Sequence, residues 1–114
     1  MKAGEYDLII TVVNKGSSDD VMTAARKAGA YGGTLVNARG TGTNEYKKFF
    51  GTVVEPEKEM VMIIAEHASR NAIMEAVAQS AGLSKKGMGL TFSLPIDRVI
   101  GMSAADTEGS EQTE

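Results

Sequence analysis

The segment Tyr6-Asp7-Leu8-Ile9-Ile10-Thr11-Val12-Val13 constrains the fold more than any other part of this chain. It is rich in β-branched residues and almost continuously apolar, the pattern of a central strand covered on both faces. Such a strand needs partners along both edges and layers above and below it. The chain has 114 residues to supply them. That length suits one domain, which buries roughly 65% of its unfolded surface. With 42% apolar and 24% charged residues the composition is that of a globular protein, excluding a disordered or membrane-spanning one. The longest apolar stretches, residues 8–13 and 60–65, fall far short of the roughly 20 residues a bilayer requires. Met1-Lys2-Ala3-Gly4-Glu5 leads straight into the strand, so we expect no signal peptide.

The punctuation after the first strand sets the order of elements. Asn14-Lys15-Gly16 ends it, and Ser17-Ser18-Asp19-Asp20 offers a hydroxyl cap and two carboxylates to the positive end of a helix. That helix is expected to run to about Ala28, with Val21, Ala25 and Ala28 inward and Gly29 closing it. Thr34 to Arg39 reads as a second strand and Glu59 to Ala65 as a third, separated by a loop of about fifteen residues. A second helix is expected from about Ser69 to Ser80, with Ile73, Met74 and Val77 on one side and Gly82 at its end. Leu90 to Leu94 makes a fourth strand closed by Pro95, and Ile96 to Ile100 a short additional one, kept from the centre by the proline.

The result is an α+β chain of order β-α-β-β-α-β with an extra C-terminal strand, a ferredoxin-like plan. Two helices cover one face of such a sheet. Because this chain is apolar on both strand faces, we expect a symmetric homo-oligomer closing over the other face. Residues 1–102 form the expected domain, and Ser103 onward, with Asp106, Glu108, Glu111 and Glu114, an acidic tail that orders only against a ligand or neighbour. The tail accounts for the net charge of −3, because the body carries twelve basic residues against eleven acidic ones. A body so near neutrality makes no electrostatic case for nucleic acid. The absence of cysteine removes disulfides and thiolate chemistry and leaves the cytoplasm as the default compartment.

Two glycine-rich segments are the candidates for ligand chemistry. Arg39-Gly40-Thr41-Gly42-Thr43-Asn44 leaves a strand for the long loop, where glycines let backbone N–H groups approach an anion and Arg39 and the threonines add donors. It satisfies neither a dinucleotide fingerprint nor a Walker motif, and taken alone it reads first as a tight turn beginning a flexible loop. Lys85-Lys86-Gly87-Met88-Gly89 pairs cationic side chains with an open backbone, which suits phosphate, although taken alone it reads first as a solvated turn with surface lysines.

His67 is the only histidine and reads as a surface residue before a helix. Neither a metal-ligand cluster nor a nucleophile with a base is recognisable, so no catalytic residue and no metal ligand is expected. Met22, Met60, Met62 and Met74 sit at core periodicity and read as packing.

The block from Gly32 to Gly42, the block from Lys58 to Ala65, and the block Gly87-Met88-Gly89-Leu90-Thr91-Phe92-Ser93-Leu94-Pro95-Ile96-Asp97-Arg98-Val99-Ile100 together resemble the PII signal-transduction family. The resemblance implies a non-enzymatic regulator in the cytoplasm, a homotrimer with an adenine nucleotide between subunits and a link to nitrogen regulation. It also implies a T-loop, here residues 43–57, that docks onto a partner such as a transporter or metabolic enzyme. Thr34, Arg39, Gly40, Thr41 and Gly42 would then face the ligand together with Lys85, Lys86, Gly87, Met88 and Gly89. Tyr46, Lys47, Phe49 and Phe50 would present the partner-binding loop, Phe49 and Phe50 being equally able to extend a hairpin.

Departures from the family pattern bear on the ligand. Leu90 stands where the family carries a lysine, Gly101 and Ser103 where it carries arginines, and Met62 where it carries a glutamate. Three fewer cations remove charge-assisted bonds of about 1.5–3 kcal/mol each from a triphosphate site. ATP, ADP, AMP and cyclic dinucleotides all remain in view, with no cofactor required. The alternative is a ligand-independent or metal-related trimer similar in shape to CutA proteins.

Overall fold

The computed structural model describes residues 5–40, 47–49, 52–54 and 56–102, the two short segments as backbone only. β1 spans Tyr6–Asn14, α1 Ser18–Lys27, β2 Thr34–Arg39, β3 Lys47–Phe49, β4 Thr52–Val54, β5 Glu57–Glu66, α2 Arg70–Ala81 and β6 Gly89–Pro95, with a 3₁₀ turn at His67–Ser69. The main sheet has the order β2-β5-β1-β6 with every neighbour antiparallel. β1 and β2 are therefore parallel with β5 between them, and β5 and β6 are parallel with β1 between them. Two split β-α-β units interleave, which is the ferredoxin-like plan. The interval between β2 and β5 is not bare loop: β3 and β4 pair as a separate antiparallel hairpin, Phe49 opposite Thr52 and Lys47 opposite Val54.

Among the described residues, helices cover one face only. Along β1, Asp7, Ile9, Thr11 and Val13 are buried, and along β5, Glu59, Val61, Ile63 and Ala65 lie opposite them. Val21 and Ala25 of α1 and Ile73 and Val77 of α2 complete this core. The apolar continuity of β1 thus does not mean cover on both sides within the protomer. The second face carries Leu8, Ile10 and Val12 between Leu94, Phe92 and Leu90 of β6 and Ile64, Met62 and Met60 of β5. Leu90, Phe92, Leu94 and Ile64 stay 53%, 41%, 45% and 37% exposed.

Two local expectations need correction. The cap on α1 is not a serine hydroxyl: Ser17 makes no capping bond, and Glu59 Oε1 instead accepts the N–H groups of Gly16 and Ser18, both at 3.0 Å. The segment from Ile96 to Ile100 forms no strand. Its N–H at Ile96 donates to the Tyr6 carbonyl, but Tyr6 is the first residue of β1, so among the described residues there is no strand beyond it to pair with. Elsewhere the agreement is close. α2 ends on Gly82 in the left-handed region at φ 66°, as a helix terminated by glycine does. No helix among the described residues is long and apolar enough to cross a membrane. Residues 103–114, read as an acidic tail, lie outside the described residues.

Candidate functional site

The strand order decides where the two glycine-rich segments meet. β2 leaves the sheet at Arg39–Gly40, β5 enters it at Glu57–Lys58, β1 leaves it at Asn14, and β6 enters it at Gly89. Antiparallel pairing puts all four points at one end of the sheet: Arg39 opposite Glu57, Asn14 opposite Lys58, and Val13 opposite Gly89. The Gly40 N–H donates to the Pro56 carbonyl at 2.9 Å, which closes the base of the long loop.

Three consecutive residues of β5 grip the turn after β1. Glu57 takes the Lys15 N–H on its carbonyl at 3.2 Å and the Lys15 ammonium on its carboxylate at 2.8 Å. Lys58, only 6% exposed, donates its ammonium to Asn14 Oδ1 at 2.7 Å. Glu59 caps α1. The ammonium of Lys15 beside Glu57, with a smaller contribution from Arg39, holds the Glu57 carboxyl below the usual range, and Glu57 in turn raises the Lys15 ammonium. Glu59 is also held low, above all by hydrogen bonding from Ser18, with the Gly16 and Ser18 N–H groups adding to it against the opposing effect of burial. A hollow of about 290 Å³ between Asn37, Ala38, Arg39 and Glu57 lies beside this clasp.

The second glycine-rich segment joins through Asn14, whose Nδ2 donates to the Gly87 carbonyl at 3.3 Å. The loop is turned by Gly87 at φ 83° and Gly89 at φ 125°. At Gly89 a side chain is disfavoured for a second reason, since a Cβ would collide with the Val12 carbonyl oxygen unless the backbone shifts. Lys85 and Lys86 are exposed and project from the loop's N-terminal half.

Of the residues singled out from sequence, Arg39, Gly40 and Lys85 to Gly89 are brought to this end. Thr34 is not. It begins β2 at the opposite end and lines a hollow of about 240 Å³ with Tyr31, Gly32, Gly33, Met62, Ile64 and Met102. Among the described residues no charged side chain lines that hollow. Thr41, Gly42, Tyr46 and Phe50 lie outside the described residues, while Lys47 and Phe49 lie on β3. Asn14, and the burial of Lys58 against it, were not legible in sequence. A polar residue closing a strand and a lysine opening another look like ordinary ends, and only the register joins them.

A separate polar cluster lies at the far end of β1. The Asp7 carboxylate is 2% exposed and takes His67 Nδ1 at 2.7 Å, with an Arg70 guanidinium nitrogen at 3.7 Å. His67 is therefore half-exposed, as expected, but tied to the core. Among the described residues no group of three or more His, Cys, Asp or Glu side chains is arranged to hold a metal ion.

Comparison with known proteins bears on the fold and the family. Nitrogen regulatory protein GlnK2 of Haloferax mediterranei is 28% identical over 109 residues, covering 91% of this chain and 89% of that protein. Among solved structures, the PII protein of Arabidopsis thaliana bound to citrate superposes with a TM-score of 0.63 at 20% identity, covering 82% of this chain and 79% of that one. A Bacillus cereus protein related to NIF3 reaches a TM-score of 0.66 at 15% identity, but this chain spans only 27% of it. At these identities both structures speak to the fold alone. The sequence is more specific: residues 6–105, from the first residue of β1 to beyond β6, match the family model for nitrogen regulatory protein P-II. The chain belongs to the P-II family of signal-transduction proteins.

Proposed function

We propose that this protein works in the cytoplasm as a homotrimeric P-II-type sensor, in which a small ligand bound between subunits governs how residues 43–57 engage a protein partner. The observation that carries the reading is the convergence of the Gly40 loop base and the Lys85 to Gly89 loop at one sheet end, joined through Asn14. A ligand seated against glycine-rich backbone there would sit beside the root of the long loop. The open apolar face of the sheet supports the assembly, since Val36, Ile64, Leu90, Phe92 and Leu94, left exposed on that face, favour a covering copy.

The ligand is an adenine nucleotide or a related molecule, and the charge distribution favours one with few phosphates. Leu90 occupies the first position of β6 beyond Gly89 and is 53% exposed, contributing apolar surface where a triphosphate needs a cation. AMP and cyclic dinucleotides fit this better than ATP. The function is regulatory, with a transporter or metabolic enzyme as the kind of partner, and the family match favours it over a CutA-like assembly without ligand gating.

Light scattering on the eluting protein, followed by calorimetric titration with ATP, ADP, AMP and cyclic dinucleotides, tests both parts. A trimer that binds one of them, AMP or a cyclic dinucleotide more tightly than ATP, is the expected result. A confirmed trimer giving no heat with any of the four would sink the ligand-gated reading, and a monomer at tens of micromolar would sink the assembly.

A further inference from the structure

We propose that Asn14 is a positioning residue that couples the Lys85 to Gly89 loop to the root of the long loop, so that a change at one end biases the other. The proposal rests on the functional reading above for its consequence, but its physical basis is independent of any ligand. The Asn14 amide has one acceptor end and one donor end, and one binds the start of β5 while the other binds the Lys85 to Gly89 loop. Oδ1 takes the buried Lys58 ammonium at 2.7 Å, and Nδ2 donates to the Gly87 carbonyl at 3.3 Å.

The two bonds constrain each other. The amide is planar, so a rotation that lengthens one moves the other. Charge on the ammonium also polarises the amide toward Gly87, which strengthens the weaker bond as long as the stronger is in place. On the root side the same strand entry is fastened by Lys15 to Glu57 and by the Gly40 N–H to the Pro56 carbonyl. Displacement of Gly87 by a ligand therefore acts on Asn14, then on Lys58, then on the strand entry that carries the returning end of residues 43–57. Coupling of this kind is reciprocal, so it can be read in either direction without ligand.

Amide hydrogen exchange on the full ligand-free chain reads it. Lys58→Met removes the ammonium from β5 and is expected to speed exchange at Met88 and Gly89, on the opposite loop, by about tenfold, the loss of roughly one hydrogen bond. Ile73 and Val77 in α2 serve as internal references and should not change. Asn14→Ala should speed exchange at Met88, Gly89 and Gly40 together, and adding Lys58→Met to it should change Met88 and Gly89 no further. Asn14→Asp keeps an acceptor for Lys58 and loses the donor to Gly87. It should loosen Met88 and Gly89 while leaving Gly40 protected, and it decides the matter if Lys58→Met does not fold. Unchanged exchange at Met88 and Gly89 in Lys58→Met, additive effects in the double variant, or loss of protection at both ends in Asn14→Asp each overturn the coupling. Failure of nucleotides to bind would leave these outcomes untouched, so the two readings fail separately.

Discussion

Phe92→Glu puts a carboxylate at the middle of the open sheet face, flanked along β6 by Leu90 and Leu94 and across it by Ile10. The wild-type ring is 41% exposed in the protomer. Taking about 200 Å² for a whole Phe side chain, about 80 Å² is left for a second copy to cover, worth about 2 kcal/mol per subunit at ~25 cal/mol/Å². Truncation to Ala alone should thus weaken assembly about thirtyfold for each subunit added. The carboxylate adds the cost of removing a charge from water without a partner, several kcal/mol more. The charged variant should therefore be monomeric at concentrations where the wild type is fully assembled, while its helix-side core, formed by Ile9, Ile63, Ile73 and Val77, keeps the protomer folded. Sedimentation velocity over a hundredfold range of concentration, with circular dichroism to confirm folding and Glu75→Lys on the exposed side of α2 as a control, measures this. If Phe92→Glu sediments with the same mass and concentration dependence as wild type, the open face is not the assembly surface and the reasoning fails.

Glu59→Gln should lower stability near neutrality and flatten its dependence on acid. A carboxyl held low when folded contributes stability above the ordinary Glu range of about 4.3 and loses it as pH falls through the folded value, so melting curves from about pH 6 to pH 3 should converge with wild type at the acid end. Gly89→Ala combines a positive φ with a collision at the Val12 carbonyl and should cost at least about 2 kcal/mol, visible as a drop in Tm of roughly 10 °C and faster exchange along β6. His67→Ala removes a bond to the buried Asp7 carboxylate and should cost about 1–3 kcal/mol in chemical denaturation, with Asp7→Asn plus His67→Ala recovering part of the loss because no buried charge is then left short of a partner.

The readings that came directly from the chain are those in which a residue's own chemistry dictates its local state. β-branched runs gave β1, β2 and β5 within a residue or two, and Gly82 gave the end of α2 because only glycine takes the left-handed region freely. The element order followed, and with it the ferredoxin-like plan. Ile96 to Ile100 has the same strand-like composition as the others, yet forms no strand. Pairing is a property of two segments, and Ile96 reaches β1 only at its first residue, with no further strand among the described residues for the segment to pair with.

The candidate site divides along the same line. Arg39, Gly40 and Lys85 to Gly89 could be picked out one at a time, because glycine and lysine in turns advertise an approachable backbone and a cation. Their meeting at one end of the sheet, the placement of Thr34 at the other end of β2, and the position of Asn14 between Lys58 and Gly87 depend on register across three strands. Sequence alone determined the four strands of the main sheet, the two helices and the glycine that ends the second, since those preferences are local; it did not show the β3–β4 hairpin or that Ile96 to Ile100 stays unpaired. Tertiary structure alone decided what Asn14 touches and which face of β1 is left open, since contacts between residues more than forty positions apart are set by packing and pairing, not by either residue's own preferences.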